Sequence, residues 1–180
     1  MTDTKHIEKW VNQVARGDQQ AMRHLYDAFQ RAMLTTAFRI TNNRPDAEDA
    51  VQEAFVESFQ KIGQLRQTRR YGGWLKRIVI NKCLDKQRKH LRWEAPRQIL
   101  PDTTDEETWY VGIPLEEIRQ AIQQLPDGSR EVLVLYLFED YKHREIAEQL
   151  GISISTSKSQ YQYALRRLRT QLQKWKHDAI

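Results

Sequence analysis

The chain has 180 residues, of which 29% are charged and 39% are hydrophobic, and its formal net charge is +5. This length suits one ordinary domain or two small ones, and the composition is that of a chain that folds. A single cysteine, Cys83, excludes an internal disulfide bond and a cysteine-based zinc cluster, and the five histidines are not at metal-ligand spacing. No segment approaches the roughly 18 consecutive apolar residues of a membrane span, so we expect a cytoplasmic protein without membrane insertion.

The charge is distributed unevenly along the sequence. Residues 1–93 carry 18 basic and 10 acidic side chains, residues 94–118 carry 1 and 7, and residues 119–180 carry 10 and 7. Two basic segments are therefore separated by an acidic one. A basic lobe favours a polyanionic partner such as nucleic acid, although most mildly basic proteins bind none.

Apolar residues at helical spacing predict helices throughout the first 93 residues. Between Ala47 and Ile62 an apolar residue recurs every three or four positions, and Pro45 and Asp46 suit the first turn of that helix. Two more helical patterns lie upstream and are separated near Gly17. A further pattern begins at residue 74 and offers these residues to a core: Trp74, Leu75, Ile78, Val79, Cys83 and Leu84.

Residues 69–93 combine basic side chains with two aromatic ones. Cations that follow the phosphates and a ring that stacks on an unpaired base, such as Tyr71 or Trp74, are typical of single-stranded DNA binding, and Gly72 and Gly73 allow close backbone approach. The alternative is that Trp74 belongs to the core and the lysines form a solvated face. Because Trp74 continues the apolar pattern, we expect it to lie mostly in the core.

The carboxylates between residues 46 and 57 are predicted to lie on the solvent side of their helix. No phosphate-binding loop, paired histidine or activated nucleophile accompanies them in the sequence, so we expect no enzymatic activity, no cofactor and no metal. The acidic face is either solvated or docks on a partner protein, since it is unsuited to DNA.

Residues 94–114 interrupt the helical patterns with three prolines and a run of acidic residues, which predicts an irregular linker. Helical patterns resume at Leu115. The predicted fold class is therefore all-α, with two small helical domains, residues 1–93 and 115–180, joined by the linker.

The segment from residue 143 onward has the pattern of a helix-turn-helix. A short apolar pattern ends at Gly151, and Ser153 or Ser155 can cap a long second helix. We predict these exposed positions early in that helix: Thr156, Lys158, Ser159, Gln160, Gln162 and Tyr163. Short polar side chains let a recognition helix enter the major groove, whereas the alternative is a helical hairpin that packs on a neighbour.

Four segments carry a family likeness: "VARGDQQAMRHLYDAF", "RPDAEDAVQEAFVESFQKI", "YGGWLKRIVINKCLDKQRK" and "REIAEQLGISISTSKSQYQYALRRLR". Their order and spacing over roughly residues 10–175 resemble the extracytoplasmic-function group of bacterial sigma factors, which give RNA polymerase its promoter specificity. The resemblance implies three partners: core RNA polymerase, held through its β′ clamp helices and β flap; promoter DNA; and an anti-sigma factor. It also implies that the linker threads toward the polymerase active-site cleft.

The resemblance assigns site residues to three surfaces. Polymerase docking is implied for Asp49, Gln52 and Glu53. A loop over residues 63–73 and the helix after it are implied to capture the melted −10 strand with Arg66, Arg69, Arg70, Tyr71, Trp74, Lys76, Arg77, Asn81 and Lys82, and Asp85 and Arg88 match the same helix. Reading of the −35 duplex is implied for His143, Arg144, Ser155, Thr156, Lys158, Ser159, Gln162, Tyr163 and Arg166.

Four positions depart from the pattern of that family. Ser157 replaces an aliphatic residue, which we expect to loosen the packing of the recognition helix. Gln160 replaces an arginine, which we expect to remove a DNA contact and to alter the −35 sequence that is read. Gly72 and Gly73 stand where bulkier residues are common, which leaves the −10 base preference open.

Two other classes of protein are weighed against this reading. The first is a stand-alone helix-turn-helix regulator with an N-terminal sensor or dimerisation domain, which would bind a two-fold operator without polymerase. The basic segment that contains Tyr71 argues against it, because a sensor domain does not need that charge. The second is a DNA-processing enzyme such as a recombinase, for which the sequence offers no convincing nucleophile with clustered arginines.

Overall fold

The computed structural model describes residues 4–88 and 111–178, and every regular element in these ranges is helical. The chain divides into two compact units, Met1–Lys89 and His90–Ile180. The first contains α1 (Thr4–Val14), α2 (Gln19–Thr41), α3 (Arg44–Gln60) and α4 (Tyr71–Arg88). The second contains α5 (Leu115–Gln123), α6 (Asp127–Leu137), α7 (His143–Leu150) and α8 (Ile154–Asp178). The predicted all-α fold class is confirmed.

Side-chain caps set the helix boundaries in the first unit. The carboxylate of Asp18 accepts hydrogen bonds from the amides of Gln20 and Ala21, at 2.9 and 3.1 Å, and so caps α2. The side chain of Asn43 accepts a hydrogen bond of 3.2 Å from the amide of Asp46 at the start of α3. The predicted break near Gly17 and the predicted first turn of α3 are confirmed.

The core of the first unit lies between α2, α3 and α4, and α1 packs on α2. Its fully buried apolar side chains include Leu25, Ala37, Ile40, Ala50, Ala54, Leu75, Val79 and Cys83. The apolar pattern along α3 and α4 therefore faces inward as predicted. Trp74 and Ile78, on the same helix, are half-buried.

The predicted loop from Gly63 to Gly73 is wrong in part. Two short 3-10 turns, Ile62–Gln64 and Thr68–Arg70, occupy this segment, and α4 already begins at Tyr71. Gly72 faces α2, where an added Cβ would lie 2.6 Å from Cε1 of Phe29. Gly72 therefore allows two helices of the protein to approach each other, whereas a Cβ at Gly73 would meet nothing within 4 Å.

The second unit packs α5, α6 and α7 against the long helix α8. One cluster of its apolar core consists of Ile113, Ala121, Leu125, Leu133, Ala164, Leu168 and Leu172. Gly151 ends α7 in the left-handed conformation, at φ 66°, as predicted. Ser129 lies inside α6, which begins at Asp127 directly after Pro126.

Residues 94–110 of the predicted linker lie outside the described residues, so the domain boundaries stay predictions. Among residues 4–88 and 111–178, no helix is long and apolar enough to cross a membrane. In the same two ranges, no three histidine, cysteine or carboxylate side chains are grouped so that they could hold a metal ion.

Candidate polymerase and nucleic-acid surfaces

Helix α3 presents a row of carboxylates at intervals of four residues: Asp49, Glu53 and Glu57. The side chains of Asp49 and Glu53 are 64% and 51% exposed, and Gln52 is exposed beside them. The three residues assigned to polymerase docking are therefore all accessible on α3.

Two lysines of α4 pair with this row. The Nζ atom of Lys82 lies 2.8 Å from Glu57 and 3.9 Å from Glu53. The Nζ atom of Lys86 lies 3.2 Å from Glu53 and 3.4 Å from Asp49. Later residues of α3 pair with earlier residues of α4, so the two helices run antiparallel. We call this group of five residues the α3–α4 charge ladder.

The pairing stabilises the charged forms of Glu57, Lys82 and Lys86. Hydrogen bonds from Lys61 and then from Lys82 lower the pKa of Glu57. The hydrogen bond to Glu57 raises the pKa of Lys82. At Lys86 burial acts to lower the pKa, but the hydrogen bonds to Glu53 and Asp49 outweigh it and the pKa is raised. Glu57, Lys82 and Lys86 are therefore held in their charged forms at neutral pH.

The sequence placed Lys82 on a DNA surface and the α3 carboxylates on a separate protein surface. The structure brings them into direct contact. Glu57 and Lys86 were not assigned a role, although the spacing of Asp49, Glu53 and Glu57 on one helix and of the two lysines on the next was visible. What the sequence did not give was the packing of these two faces against each other.

The residues assigned to the −10 strand divide by exposure. Those that are exposed around the start of α4 and along one side of it are Arg66, Arg69, Arg70, Arg77 and Asn81, and Asp85 is exposed further along. Trp74, Lys76 and Lys82 are half-buried. The side chain of Arg88 lies outside the described residues.

The prediction that Tyr71 could stack on an unpaired base is wrong for this fold, because its ring is fully buried. Its hydroxyl lies 3.0 Å from Oγ of Ser58, and its ring meets the edge of Phe29 at a centroid distance of 5.5 Å. Burial raises the pKa of Tyr71 to about 12, against the opposing effect of the Ser58 hydrogen bond. In this fold Tyr71 packs in the core, and Trp74, 6.1 Å away, is the nearer ring to solvent.

The helix-turn-helix of α7 and α8 begins its second helix with a cluster of hydroxyls. Oγ of Ser153 accepts a hydrogen bond of 2.9 Å from the amide of Thr156 and so caps α8. The same oxygen lies 2.7 Å from Oγ of Ser155 and 2.8 Å from Oγ1 of Thr156. This first turn carries the polar groups that the sequence assigned to DNA.

The other residues assigned to the −35 duplex are at least partly accessible. Arg144, Ser155 and Lys158 are exposed. The half-buried ones are His143, Thr156, Ser159, Gln162, Tyr163 and Arg166. The structure therefore brings the start of α7 and the first three turns of α8 into one unit.

Gln160 and Ser157 face the interior of this unit rather than solvent. The hydroxyl of Ser129 on α6 donates a hydrogen bond of 2.5 Å to Oε1 of Gln160, which is only 4% exposed, so the prediction that Gln160 is exposed was wrong. Ser157 is fully buried, and its Oγ lies 2.9 Å from Nδ1 of His143. The expectation of looser packing at Ser157 omitted this hydrogen bond.

His143 lies between aromatic rings and joins three helices. Its ring stacks on Tyr136 of α6 at a centroid distance of 4.5 Å and meets Tyr161 of α8 edge-on at 5.7 Å. Burial, and then the charge of Lys158, lower the pKa of His143. His143 is therefore neutral at pH 7, and it packs between helices while its neighbour Arg144 is exposed.

Sequence comparison matches both units to one class of protein. Residues 25–93 match the family Sigma-70 region 2, and residues 115–168 match Sigma-70, region 4. The first match contains the charge ladder and the second contains the helix-turn-helix. The two units therefore define a sigma factor of the sigma-70 type.

Relatives place the chain more narrowly. It is 32% identical to the ECF RNA polymerase sigma factor SigW of Bacillus subtilis, over 92% of this chain and 96% of SigW. It is 31% identical to the ECF sigma factor SigE of Mycolicibacterium smegmatis, over 89% of this chain and 66% of SigE. The chain belongs to the extracytoplasmic-function sigma factors, the sigma-70 family members that direct promoter-specific transcription initiation by RNA polymerase. A stand-alone regulator is not favoured by these matches.

Solved structures agree with the fold. CnrH, solved in complex with the cytosolic domain of CnrY, matches with a TM-score of 0.54 and 24% identity, over 94% of this chain and 98% of CnrH. The sigma factor RpoE of Bartonella quintana, solved with the anti-sigma factor NepR, matches with a TM-score of 0.53 and 21% identity, over 84% of this chain and 96% of RpoE.

Proposed function

We propose that this sigma factor docks on the β′ clamp helices of core RNA polymerase through Asp49, Gln52 and Glu53. The observation that supports this most is the exposure of all three side chains on one helix, inside the segment that matches region 2. Accessible carboxylates suit a basic partner surface, and complementary charge raises both specificity and the association rate. The protein acts by binding, in the cytoplasm where the polymerase works, and not by catalysis.

The −10 strand is proposed to lie along the exposed cations around α4. Arg69 and Arg70 precede the helix, and Arg77 and Asn81 share a side of it at an interval of four residues. Cations track the phosphates of a single strand, and the half-buried ring of Trp74 is the aromatic group available to a base. Arg66, Lys76 and Lys82 complete this surface.

The −35 duplex is proposed to receive the start of α8 in its major groove. Ser155 and Lys158 are the exposed polar residues at the start of α8. Arg144 on α7 is also exposed and is proposed to contact the phosphates of the DNA. Thr156, Ser159, Gln162, Tyr163 and Arg166 complete the surface. His143 supports it by packing against α6 and α8.

An anti-sigma factor is proposed as a further partner, because the RpoE structure that this chain resembles holds one. The β flap of the polymerase is proposed to contact the second unit. Each of these two protein partners would bind a chain that also carries the basic DNA surfaces proposed above.

The test of the docking proposal uses purified core RNA polymerase and the full chain. We expect the wild-type chain to co-elute with core and to direct initiation at discrete start sites on genomic fragments. Asp49→Ala with Glu53→Ala should weaken core binding by about tenfold or more, because accessible charges facing a basic partner are lost. Glu48→Ala is the matched control, since Glu48 lies on the same helix but pairs with Arg44 at 2.7 Å. Failure of the wild-type chain to bind core would exclude this function.

A further inference from the structure

Tyr163 and Arg167 form a side-chain pair on the outer side of α8. They lie one helical turn apart, and Nη1 of Arg167 donates a hydrogen bond of 3.1 Å to the hydroxyl oxygen of Tyr163. Arg167 is exposed and Tyr163 is half-buried, whereas their neighbours Ala164 and Leu168 are buried in the core. Tyr163 belongs to the surface proposed for the −35 duplex, and Arg167 has no assigned role.

The pair shares a side of α8 with polar residues of its first turns. Thr156, Ser159, Tyr163 and Arg167 follow one another at intervals of three or four residues, which places them along one helix face. Tyr163 lies about 10 Å along the axis from Thr156. A major groove about 12 Å wide can receive that length of helix. Arg167 lies one turn further, where the helix leaves the bases for the phosphates.

We propose that Arg167 is a positioning residue for −35 recognition: it holds the hydroxyl of Tyr163, contacts a phosphate with its remaining N–H groups, and makes the pair select guanine. The inference rests on the proposed binding of the −35 duplex by α8. It adds Arg167 to that surface and gives Tyr163 a defined base preference.

The hydrogen-bonding capacity of the two side chains favours guanine. A guanidinium has N–H donors and no acceptor, and the bond from Arg167 occupies a lone pair of the Tyr163 oxygen. The hydroxyl keeps its own proton to donate, so the pair offers donors to a base edge. In the major groove guanine presents two acceptors, N7 and O6. Cytosine presents an amino donor, adenine sets an amino donor beside its acceptor, and thymine sets a methyl group beside its acceptor.

The neighbouring arginine is arranged differently. Nε of Arg166 donates a hydrogen bond of 3.3 Å to the backbone carbonyl of Gln162, so it holds no side chain that could read a base. Its Nη1 is buried without a hydrogen-bond partner among the residues that the structure describes. Arg167 therefore differs from Arg166 in combining an exposed guanidinium with a bond to a polar ring.

The shape of the guanidinium allows it to serve the ring and the backbone together. Its planar fork directs several N–H groups at fixed angles, so one can bond the hydroxyl of Tyr163 while others bond a phosphate oxygen. A phosphate held in this way anchors Arg167 at both ends and restricts the rotation of the Tyr163 side chain. The contact with the backbone thus contributes to base selection as well as to affinity.

The test measures base discrimination by the holoenzyme, formed from core polymerase and the full chain, on a promoter located by its start site. Each G·C pair of the −35 element is inverted in turn, and the affinity ratio of the two duplexes is measured. We expect Tyr163→Phe to lower this ratio by about three- to tenfold at one position, the value of one hydrogen bond, and to leave the other ratios within about twofold. An element without guanine, or unchanged ratios at every guanine, would overturn the assignment.

Two substitutions of Arg167 separate positioning from a plain phosphate contact. Arg167→Gln should reduce the salt slope by about one and also lower the ratio at the position that Tyr163→Phe identifies. Arg167→Lys keeps the charge but lacks the planar fork, so it should restore the salt slope and only part of the discrimination. An Arg167→Gln variant that binds every duplex more weakly by the same factor would overturn the positioning role.

The matched control removes a positive charge elsewhere in the same unit. Arg119 is exposed on α5, where it pairs with Glu116 at 3.6 Å. Arg119→Gln should leave both the salt slope and the discrimination ratios at the wild-type values. A loss of discrimination as large as that of Arg167→Gln would attribute the effect to general charge and overturn the inference.

The outcome is separable from that of the proposed function. A wild-type holoenzyme that initiates at discrete sites, with unchanged discrimination in Tyr163→Phe, would overturn the inference and leave the function standing. A wild-type chain that does not bind core would overturn the function, and the inference with it.

Discussion

Nδ1 of His143 lies 2.9 Å from Oγ of Ser157, and this contact joins the first turn of α7 to the first turn of α8. The two helices form the helix-turn-helix, so a hydrogen bond at their junction fixes how the DNA-facing turn of α8 is presented. Ser157 is fully buried, which means that its hydroxyl has no solvent to replace the histidine. Like the hydrogen bond between Ser129 and Gln160, the junction is a buried polar contact beside the apolar core of this unit.

Removal of this hydroxyl should destabilise the second unit. We expect Ser157→Ala to lower the free energy of unfolding by about 0.5–1.5 kcal/mol, the net value of one intramolecular hydrogen bond. Ser155→Ala, at an exposed position two residues earlier, should change it by less than about 0.5 kcal/mol. Urea unfolding followed by circular dichroism measures both. Equal effects of the two substitutions would show that the junction hydrogen bond adds nothing.

His143 should make the stability of the protein depend on pH. Its pKa is lowered in the folded state by burial and by Lys158, so the unfolded chain binds the proton more readily. Its favourable contribution is then fully present above the unfolded pKa of about 6.5 and is lost as pH falls through that value toward the folded pKa. We expect the urea midpoint to fall between pH 7.5 and pH 5.5, and to fall less in His143→Phe, which keeps an aromatic ring beside Tyr136.

The control for pH dependence is His177→Gln, which removes an exposed histidine from the last turn of α8. This substitution should leave the pH dependence of the wild-type chain in place. If His143→Phe and the wild type lose stability in parallel as the pH falls, then His143 is not the group responsible.

Gly72 and Gly73 form a matched pair of positions that differ only in their surroundings. Alanine at position 72 would place its Cβ 2.6 Å from the ring of Phe29, so we expect a loss of about 1–3 kcal/mol from overpacking. Alanine at position 73 meets open space in a helix, where it should stabilise by up to about 1 kcal/mol. Thermal and urea unfolding of the two variants should therefore shift in opposite directions.

Shifts in the same direction at these two glycines would contradict the prediction. If both substitutions stabilise the chain and both weaken single-strand binding, then the pair serves close approach to DNA. The contact between Gly72 and Phe29 would in that case be readily relieved by movement of the ring.

Substitution of Tyr71 should lower the stability of the fold without changing the affinity for single-stranded DNA. Tyr71→Phe removes the hydroxyl that contacts Ser58, while Ser58 keeps its 2.8 Å hydrogen bond to the carbonyl of Phe55, so the expected loss is about 1 kcal/mol or less. The affinity for single-stranded DNA, measured by fluorescence anisotropy, should stay within about twofold of the wild-type value, because the substitution lies in the core and away from the DNA surface. Arg77→Gln is the contrasting variant, since it is exposed and should reduce both affinity and salt dependence. A large affinity loss in Tyr71→Phe would mean that the ring leaves the core to bind DNA.

The sequence was a good guide to the helices because their signals are local. Apolar spacing, the turn at Gly17 and the left-handed residue Gly151 each act within a few residues, and all three appear in the structure where they were predicted. The start of α4 was missed for the same reason. Nothing local marks Tyr71 as a buried helical residue or Gly72 as a point of helix packing, since both roles depend on Phe29 and Ser58 in other helices.

The sites were less predictable because they depend on contacts between helices. Residue types gave the acidic row of α3 and the basic residues of α4, but not the ladder that joins them. In the same way Gln160 looked like one more polar residue on a recognition helix, whereas its partner, Ser129, lies 31 positions earlier on α6. Which side of a polar helix faces inward is decided by the partners that it meets.

The two helix faces of α8 should respond differently to substitution. Lys158→Gln removes an exposed cation from the second turn, so we expect weaker −35 binding by the holoenzyme and a salt slope smaller by about one, with unfolding unchanged. Gln160→Arg should add no DNA contact, because position 160 is buried against Ser129, and it should instead destabilise the second unit by placing an unpaired charge there. Promoter binding at several salt concentrations and urea unfolding, applied to both variants, separate the two effects. A Gln160→Arg variant that is fully stable and binds the −35 element more tightly would show that the side chain at this position can turn outward to the DNA.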